Sequence, residues 1–499
     1  MYGVILAAGI GSRLRPLTLG RPKSCVSVAG TPILEQQLEA YDAAGVEDVF
    51  VVAGYLADDV VERCRAVAET SDVDVTVVTN DLYANTDNLY SLSLLEDALA
   101  GVPFILTNGD VVFDEAVLRA LHLEADGSAI ACDTSAFSDE AMKITVDADG
   151  TVDHIAKDIG PEAAYASSID AYRFSASFSA TLFEEATRLL DAREEYSAWT
   201  ELAVDTVLAG GDHAVEPVDI AGASWVEIDD EADLLRADRA FSRFDVTDKE
   251  VVFIDLDGTL YLDDEAIDGA ADLVAGLRDR GVDVFFLSNN SSRWKTDYVE
   301  TLERAGIPAR PEDIVLSTDG VIDDLENRGV EAAFVVGTEA FRDAVRRRGI
   351  DPTADEPEVV VVGFDTELTY EKVRRATLAI RDGAPFLLAH PDLVCPTADG
   401  FVPDCGSIGA LVESATGRGP DAVFGKPNAA MVQPILAERS IDPSQVAVVG
   451  DRLETEGRMA EAVGCDSVIV LTGDADRRSV EESDLDPALV VRSVADIAC

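Results

Sequence analysis

The stretch at residues 251–260, VVFIDLDGTL, constrains the fold most, because a short apolar run ends there in two aspartates and a glycine. Such a run predicts a buried strand, and open parallel sheets bind ligands at the carboxyl ends of their strands. Gly258 lets the chain turn, so that Asp255 and Asp257 can diverge. The pair suits attack on phosphorus by Asp255 and proton transfer by Asp257. An acidic strand end that caps a helix is the alternative for these two residues alone.

The rest of the chain alternates short apolar runs with stretches of helical spacing. Residues 266–280, with apolar residues at 270, 273, 274 and 277, predict a helix after the aspartate pair, and residues 282–287 predict the next strand. Strands that alternate with helices indicate parallel sheets. We therefore predict an α/β protein with two doubly wound domains, and we place their boundary near residues 244–248.

Three later motifs supply residues that can bind phosphate or a metal ion. Ser288 and Asn289 follow an apolar run in LSNNSS and can bind phosphoryl oxygens. Lys426 in FGKPN supplies a cation, and Asp451 in VAVVGD ends another predicted strand, where it can share Mg²⁺ with Asp255. A surface lysine or a turn aspartate is the usual explanation for each motif alone.

This ordered set resembles the haloacid dehalogenase superfamily of phosphatases. Residues 328–418, which include VVVVGFDTELTYEK and AHPDLVCPTADG, resemble the α/β cap of its p-nitrophenylphosphatase and phosphoglycolate phosphatase-like branch. The resemblance implies a Rossmann-like core at residues 245–327 and 419–499, with the cap inserted between the two parts. It also implies that Asp255 is the nucleophile, Asp257 the acid and base, and Lys426 and Asp451 the groups that serve phosphate and metal. Glu456 stands where the family has aspartate, which leaves the metal affinity or rate of this domain open.

The first predicted strand, at residues 4–8, runs into a glycine-rich loop. Ala8, Gly9 and Gly11 allow the backbone to approach a phosphate, and Arg13 and Lys23 add positive charge. The loop lacks the third glycine of a dinucleotide fingerprint and the GK[ST] of a P-loop. The run LAAGIGSRLRPLTLGRPKSCVSVAGTPILEQQLE resembles the nucleotide-binding signature of sugar-phosphate and phosphocholine-type nucleotidyltransferases. That resemblance assigns residues 1–244 to a nucleotidyltransferase domain with a Rossmann-like fold.

Further candidates follow the same resemblance. Asn88 and Ser91 in YANTDNLYSLSLL are similar to the phosphocholine cytidylyltransferase branch, although an amphipathic helix with an asparagine cap also explains them. Three carboxylates that follow apolar runs are candidate Mg²⁺ ligands: Asp110, Glu227 and Asp229. Two lysines, Lys143 and Lys157, match lysines at comparable family positions and are candidates for nucleotide binding. Residues 163–174 lack the usual family glycines, which leaves the acceptor open.

The composition limits the partners and the compartment. The formal net charge of −57, from 96 acidic and 39 basic residues, argues against nucleic-acid or anionic-membrane binding. A folded chain this acidic repels itself unless salt screens it, so we predict a salt-adapted cytoplasm. The seven cysteines show no CxxC pair, and the four histidines show no metal-ligand spacing. No apolar run approaches the ~20 residues that span a bilayer, and we find no signal peptide.

Together these patterns predict a bifunctional, Mg²⁺-dependent cytoplasmic enzyme. Its substrates are a nucleoside triphosphate, with CTP favoured, and phosphorylated small molecules; a homo-oligomer is left open. A transferase that uses a sugar 1-phosphate is the first alternative. The second is that only one domain is catalytic and the other is a binding or regulatory module.

Overall fold

The chain divides into two compact units, Met1–Phe241 and Ser242–Cys499. The computed structural model describes residues 1–125, 127–135, 137, 141–193, 197–220, 222–262, 265–397 and 400–497. Cys499, one of the seven cysteines, lies outside these residues. Within the described ranges, no helix has the length and apolar character that a membrane span needs.

The described part of the first unit is built on a nine-stranded mixed sheet. The first strand, Tyr2–Ala7, lies at its centre, parallel to Asp48–Ala53 on one side and to Phe104–Asn108 on the other. The strands of this sheet are Tyr2–Ala7, Asp48–Ala53, Asp74–Thr79, Phe104–Asn108, Ser128–Asp133, Lys143–Val146, Val152–Ala156, Ala166–Phe174 and Val215–Asp219. The helices of the unit are Ile33–Ala43, Ala57–Ala68, Asn88–Ser93, Glu96–Leu99, Ala116–Arg119, Ala176–Arg193, Thr200–Ala209 and Glu231–Phe241.

The first unit also has a separate two-stranded ribbon. Strand Trp225–Glu227 pairs antiparallel with Val111–Phe113, so that Glu227 faces Val111. This pairing brings a late part of the unit beside the loop after the strand Phe104–Asn108. The sequence of residues 142–159 predicts two strands joined by a turn at Asp149 and Gly150, and the structure has the antiparallel strands Lys143–Val146 and Val152–Ala156 there.

The core of the second unit is a six-stranded sheet in which every strand pair is parallel. In spatial order its strands are Ile314–Leu316, Asp283–Ser288, Val251–Asp255, Val446–Gly450, Asp466–Val470 and Leu489–Val491. The strand Val251–Asp255 is central and fully buried, as its apolar run predicts. The helices that go with this sheet in the sequence are Ala270–Asp279, Lys295–Arg304, Ser317–Asn327, Gln433–Arg439, Arg458–Val463 and Arg477–Glu482. The predicted α/β class with doubly wound parallel sheets is confirmed.

A smaller four-stranded parallel sheet, which we call the second sheet, lies between the two parts of this core in the sequence. Its strands are Ala333–Val336, Val359–Val362, Phe386–Leu388 and Ala422–Val423, and its helices are Glu339–Arg347, Tyr370–Arg381 and Cys405–Thr416. It has its own apolar core, with valines of the strand Val359–Val362 at its centre. A short hairpin, Val394–Thr397 with Gly400–Pro403, precedes the last of these helices.

The helix that follows the aspartate pair begins later than the predicted residue 266. Residues 265 and 266 form a short strand, Glu265–Ala266, that pairs with Tyr261–Leu262, and the helix runs from Ala270 to Asp279. Gly269 precedes it with a φ of 84°, a left-handed conformation that favours glycine. Periodicity alone does not reveal this hairpin, because its pairing is local and only four residues long.

Candidate active sites

The candidate phosphatase residues meet at the carboxyl end of the six-stranded core sheet. Asp255 ends its strand next to Leu287, and Ser288 ends the neighbouring strand. On the other side, the strand Val446–Gly450 ends just before Asp451. Because parallel strands present their carboxyl ends at one edge, three distant segments deliver polar side chains to the same place.

Lys426 is the charge centre of this site. Its ammonium group is in contact with the Asp255 carboxylate and lies 2.5 Å from Oε1 of Glu456. Burial acts to lower the pKa of Lys426, but the negative charges of Asp255 and Glu456 outweigh it and raise that pKa. Lys426 is therefore a buried cation held between two carboxylates.

Glu456 is fully buried and forms an ion pair with Lys426. Its Oε2 atom accepts hydrogen bonds from the Arg452 amide at 3.2 Å and from the Thr455 hydroxyl at 2.7 Å. Its side chain packs over Gly450, where a Cβ would lie 2.1 Å from Cγ of Glu456. The longer side chain thus reaches the lysine from a pocket that only glycine leaves open.

Asp451 has the environment of a cation ligand. It is buried, and its Oδ1 has no hydrogen-bond partner among the described residues, whereas Oδ2 accepts from the Asp474 amide at 2.8 Å. Burial, followed by the charge of Glu456, raises the pKa of Asp451 to about 6. A buried carboxylate oxygen without a donor is costly unless a cation or proton meets it. Oxygen ligands are what Mg²⁺ prefers, so the residues present fit that ion.

Two cavities open onto this site, and Asp257 lines both of them. The inner cavity, of about 60 Å³, is also lined by Asp255, Ser288, Asn289 and Lys426. The outer cavity, of about 760 Å³, adds aromatic and basic side chains. Asp257 itself is exposed, which the predicted role in proton transfer would require.

Asn289 connects the backbone of Lys426 to Asp392, in the segment after the strand Phe386–Leu388. Its Oδ1 accepts from the Lys426 amide at 2.7 Å, and its Nδ2 donates to the Lys426 carbonyl at 3.1 Å and to Oδ2 of Asp392 at 3.1 Å. Ser288 accepts from the Asn290 amide at 3.1 Å, and its hydroxyl lies 3.3 Å from that of Tyr298. Both predicted phosphate-binding residues therefore lie against the inner cavity.

In the first unit, Lys23 is the corresponding charge centre. Its ammonium group donates to Asp110 at 2.7 Å and to Asp229 at 3.0 Å, and Arg13 lies 2.7 Å from the same Asp229 carboxylate. Burial acts to lower the pKa of Lys23, but the charges of Asp110 and Asp229 raise it. Gly11 approaches Lys23 closely, because a Cβ there would lie 2.9 Å from Cβ of Lys23 and its φ is 64°. A side chain at this turn would therefore be both crowded and strained.

Asp110, Glu227 and Asp229 offer carboxylate oxygens that all lie within 4.8 Å of one another. Burial, and then the charges of Asp170, Asp110 and Asp229, raise the pKa of Glu227 to about 8. Glu227 therefore resists ionisation beside its neighbouring carboxylates, and a divalent cation at this place would relieve their repulsion. These residues thus also fit Mg²⁺.

The glycine-rich loop after the strand Tyr2–Ala7 borders a pocket of about 170 Å³. Ala8, Gly9, Lys23 and Asp110 line it on the loop side, together with two residues of the helix Asn88–Ser93, namely Asn88 and Ser91. Asn88 accepts from the Thr200 amide at 2.8 Å, and buried Ser91 accepts from Nδ2 of Asn80 at 3.1 Å.

The two candidate lysines of the hairpin, Lys143 and Lys157, are not among the residues that line this pocket. Lys143 is buried, and its ammonium group donates to the carbonyls of Ala141 at 3.1 Å and Lys157 at 2.8 Å. Lys157 is exposed. A nucleotide-binding role for either residue stays a prediction.

Sequence patterns did not single out Asp170, Glu201 and Tyr261. Tyr172 donates to Asp170 at 3.0 Å and lies 3.1 Å from Glu201, so two acids share one buried hydroxyl near Asn108. Asp170 has a φ of 56°, in the left-handed region, and a strand pattern does not predict such a backbone conformation. Only the folded chain brings Tyr172, Asp170 and Glu201 together.

Comparison with known proteins matches three stretches of the chain to known families. Residues 3–195 match the MobA-like NTP transferase domain, residues 252–351 the haloacid dehalogenase-like hydrolases, and residues 423–497 a second family of haloacid dehalogenase hydrolase-like proteins. An acid sugar phosphatase of Staphylococcus haemolyticus is 34% identical over 236 residues, which cover 47% of this chain and 89% of that protein.

Solved structures with sequence similarity to this chain include two phosphatases. The 4-nitrophenylphosphatase of Thermotoga maritima is 33% identical, covers 50% of this chain and 97% of its own, and has a TM-score of 0.48. The glycerol phosphate phosphatase of Mycobacterium tuberculosis in complex with magnesium is 29% identical, covers 51% and 78%, and has a TM-score of 0.48. The predicted resemblance to both families is confirmed, and the chain is an enzyme with transferase and hydrolase domains. It belongs to the haloacid dehalogenase-like hydrolases and carries, in addition, a MobA-like NTP transferase domain in its first half.

Proposed function

We propose that the second unit hydrolyses phosphate monoesters through an aspartyl-phosphate on Asp255. The observation that carries this proposal is the ion pair of Asp255 with Lys426 inside a cavity of about 60 Å³, a size that suits one phosphoryl group. Burial, despite the opposing charge of Lys426, raises the pKa of Asp255. The lysine thus favours the ionised nucleophile, which the apolar surroundings disfavour.

The remaining residues divide the chemistry among them. Asp255 attacks phosphorus while Asp257 gives a proton to the leaving oxygen, and Asp257 then takes a proton from the water that releases phosphate. Ser288, Asn289 and Lys426 hold the phosphoryl oxygens. Asp255, Asp257 and Asp451 would hold Mg²⁺, which supplies charge neutralisation for the transferring group. We assign residues 328–418 to a cap that selects the substrate, between core parts at residues 245–327 and 419–499.

The substrate class is a phosphorylated sugar or polyol. The acid sugar phosphatases that resemble this chain support this choice. The outer cavity, of about 760 Å³, has room for such a leaving group beside Asp257.

For the predicted domain at residues 1–244, we infer nucleotidyl transfer to a phosphorylated small molecule. The acceptor phosphate attacks the α-phosphorus of a nucleoside triphosphate and pyrophosphate leaves. Gly9, Gly11, Arg13 and Lys23 bind the triphosphate, while Asp110, Glu227 and Asp229 would hold Mg²⁺. CTP is favoured because Asn88 and Ser91, the residues of the cytidylyltransferase-like motif, line the pocket. A sugar 1-phosphate acceptor is the second candidate.

Two variants separate the activities. We expect Asp255→Asn to abolish phosphate release and keep nucleotidyl transfer, and Lys23→Ala to do the reverse. Both would be assayed with Mg²⁺ in high salt, with four nucleoside triphosphates and a panel of sugar and polyol phosphates, after circular dichroism has shown that each variant is folded. Phosphate release by Asp255→Asn at the wild-type rate would overturn the mechanism. If the wild-type chain shows only one of the two activities, the other unit is a binding or regulatory module.

A further inference from the structure

Arg452 carries a guanidinium group that the folded protein leaves without a partner. This group makes neither a hydrogen bond nor an ion pair with any residue that the structure describes. The backbone amide of Arg452 is used, because it donates to Oε2 of Glu456 at 3.2 Å. Lys426 in the same site is the opposite case, since its ammonium group is shared between two carboxylates. The side chain of Arg452 therefore has donors to spare.

These donors are open to a molecule in the cavities. Arg452 is half-buried, and it lines both the inner and the outer cavity. None of its nitrogens is among the fully buried polar atoms that lack a partner in the described part of the chain, so the unpaired nitrogens face accessible space. A guanidinium presents five N–H donors in a planar fork that matches a carboxylate or a phosphate.

The charges around the site make this cation useful to an acidic substrate. The described walls of the inner cavity carry more acids than bases, so a negatively charged leaving group is repelled unless a cation offsets the charge. Burial acts to lower the pKa of Arg452, but the charges of Asp451 and Asp255 lead the influences that raise it. The guanidinium thus lies in the field of the site without being bound to any one acid. The ionisable residues of the inner wall are Asp255, Asp257, Asp392, Asp404 and Glu456 on one side and Lys426 and Arg452 on the other.

The two cavities indicate which part of a substrate Arg452 meets. The phosphoryl group belongs with Lys426, which lines only the inner cavity. The leaving group must then extend past Asp257 into the outer cavity, and Arg452 lines the walls on both sides of that passage. Arg293 lines only the outer cavity, and it already interacts with another group of the protein. Arg452 is therefore placed to meet the part of the leaving group that lies close to the ester oxygen.

We propose that Arg452 binds a second anionic group on the leaving group and so selects phosphate monoesters of acidic sugars and polyols. The anionic group is a carboxylate or a second phosphate, since both match the guanidinium fork. The proposal rests on the phosphatase function proposed above and narrows its substrate class. Arg452 is a specificity-determining residue in this account, and it takes no part in proton transfer or in the attack on phosphorus.

The test compares the wild-type full chain with Arg452→Gln on two substrate pairs, in high salt with Mg²⁺. Glycerol 3-phosphate is paired with 3-phosphoglycerate, which adds a carboxylate, and fructose 6-phosphate with fructose 1,6-bisphosphate, which adds a phosphate. We expect the wild type to favour the acidic member of at least one pair by about tenfold or more in kcat/KM, the usual effect of a hydrogen bond to a charged group. The pair that shows the preference identifies the anionic group.

Arg452→Gln should remove most of that preference, chiefly by raising KM for the acidic ester, because glutamine has no charge to offer it. Arg452→Lys keeps the charge but not the planar fork, so it should retain part of the preference. An absence of preference in both pairs for the wild type would overturn the proposal. Equal losses on both members of a pair in Arg452→Gln would overturn it too, since they would show a general effect on the site acids.

Arg458→Gln is the matched control, because it removes one positive charge from an arginine that pairs with Glu461 and Asp484 and is not among the described residues that line either cavity. We expect this variant to keep the wild-type preference. A loss of preference as large as that in Arg452→Gln would count against a direct contact. The thermal midpoint of each variant shows whether it is folded. The proposed function fails separately, if the folded wild-type chain hydrolyses none of the four esters.

Discussion

At the residue scale, the structure explains why glutamate can stand at position 456 in place of the family's aspartate. The sequence places it where the family has aspartate, and the structure shows its carboxylate 2.5 Å from the Lys426 ammonium group. The extra methylene lets the side chain share the lysine with Asp255. The motif RLETE reveals neither the distance between Glu456 and Lys426 nor the burial of the Glu456 side chain, because both depend on how the segment packs over Gly450.

We expect Glu456→Gln to lower the free energy of unfolding by about 2 kcal/mol, since a buried lysine loses one of its two carboxylates. The loss should also lower the pKa of Lys426 and reduce phosphate release. Urea unfolding monitored by circular dichroism measures the stability. Glu461→Gln, at an exposed ion pair with Arg458, is the control and should change stability by less than about 0.5 kcal/mol. Equal effects of the two substitutions would contradict this account.

Asp170 predicts a dependence of stability on pH. Burial, and then the charges of Glu201 and Asp110, raise its pKa to about 8 in the folded chain. The folded chain therefore keeps a proton that the unfolded chain loses above its ordinary pKa near 4, so the free energy of unfolding falls as pH rises toward 8. The slope from this group is at most about 1.4 kcal/mol per pH unit.

We expect Asp170→Asn to remove that slope, because asparagine cannot ionise and also tolerates the left-handed backbone. Urea unfolding at pH 5, 6.5 and 8 provides the measurement. Asp149→Asn, in the hairpin turn, controls for the loss of one negative charge. A variant at position 170 with the wild-type pH dependence would show that the side chain is ionised in the folded chain.

At the scale of elements, glycines at two loops make room for the Asp451 carboxylate. A Cβ at Gly473 would lie 1.9 Å from Oδ2 of Asp451, and a Cβ at Gly258 would lie 2.6 Å from it. Gly258 also has a φ of 88°. The loops after two strands of the core sheet therefore close around the carboxylate, and they leave no space for a side chain.

We expect Gly473→Ala to displace Asp451 and to lower phosphatase kcat at least tenfold, with a weaker apparent affinity for Mg²⁺, while nucleotidyl transfer is kept. The measurement is phosphate release as a function of Mg²⁺ concentration. Gly160→Ala is the control, because its Cβ would meet no atom within 4 Å. Wild-type Mg²⁺ dependence in Gly473→Ala would argue against Asp451 as a metal ligand.

Elements were more predictable than the contacts between their side chains. The apolar run at residues 251–254 marks a strand, and parallel pairing then places Asp255 near Ser288 by register alone. Lys143 shows the limit of such reasoning, since its hairpin was predicted but its ammonium group turns to backbone carbonyls. The direction of a long side chain is set by tertiary packing, which spacing along the sequence does not encode.

At the scale of the whole molecule, charge is the dominant property. The formal net charge of −57 is carried by a chain whose residues are 47% hydrophobic, so the apolar cores fold while the acids repel one another. Screening by salt lowers that repulsion, because the Debye length falls from about 10 Å at 0.1 M to about 3 Å at 1 M ionic strength.

We therefore expect the thermal midpoint to rise as KCl increases from 0.1 to 2 M, and activity to rise with it. Differential scanning calorimetry gives the midpoint, and sucrose at matched osmolality is the uncharged control. Full stability and activity in dilute buffer would show that the acidic surface is not an adaptation to salt.

The confined inner cavity of about 60 Å³ has a consequence for how one chain can house two opposed reactions. In the proposed mechanism a terminal phosphoryl group enters this cavity, whereas a phosphorus that bears a second ester or anhydride substituent would be too bulky to reach Asp255. The nucleotide-linked product of the proposed transfer would have only such doubly substituted phosphorus atoms, so the proposed hydrolase would spare it and act on monoesters. Size exclusion at a single carboxylate would then protect one reaction from the other without any need to keep them apart in time.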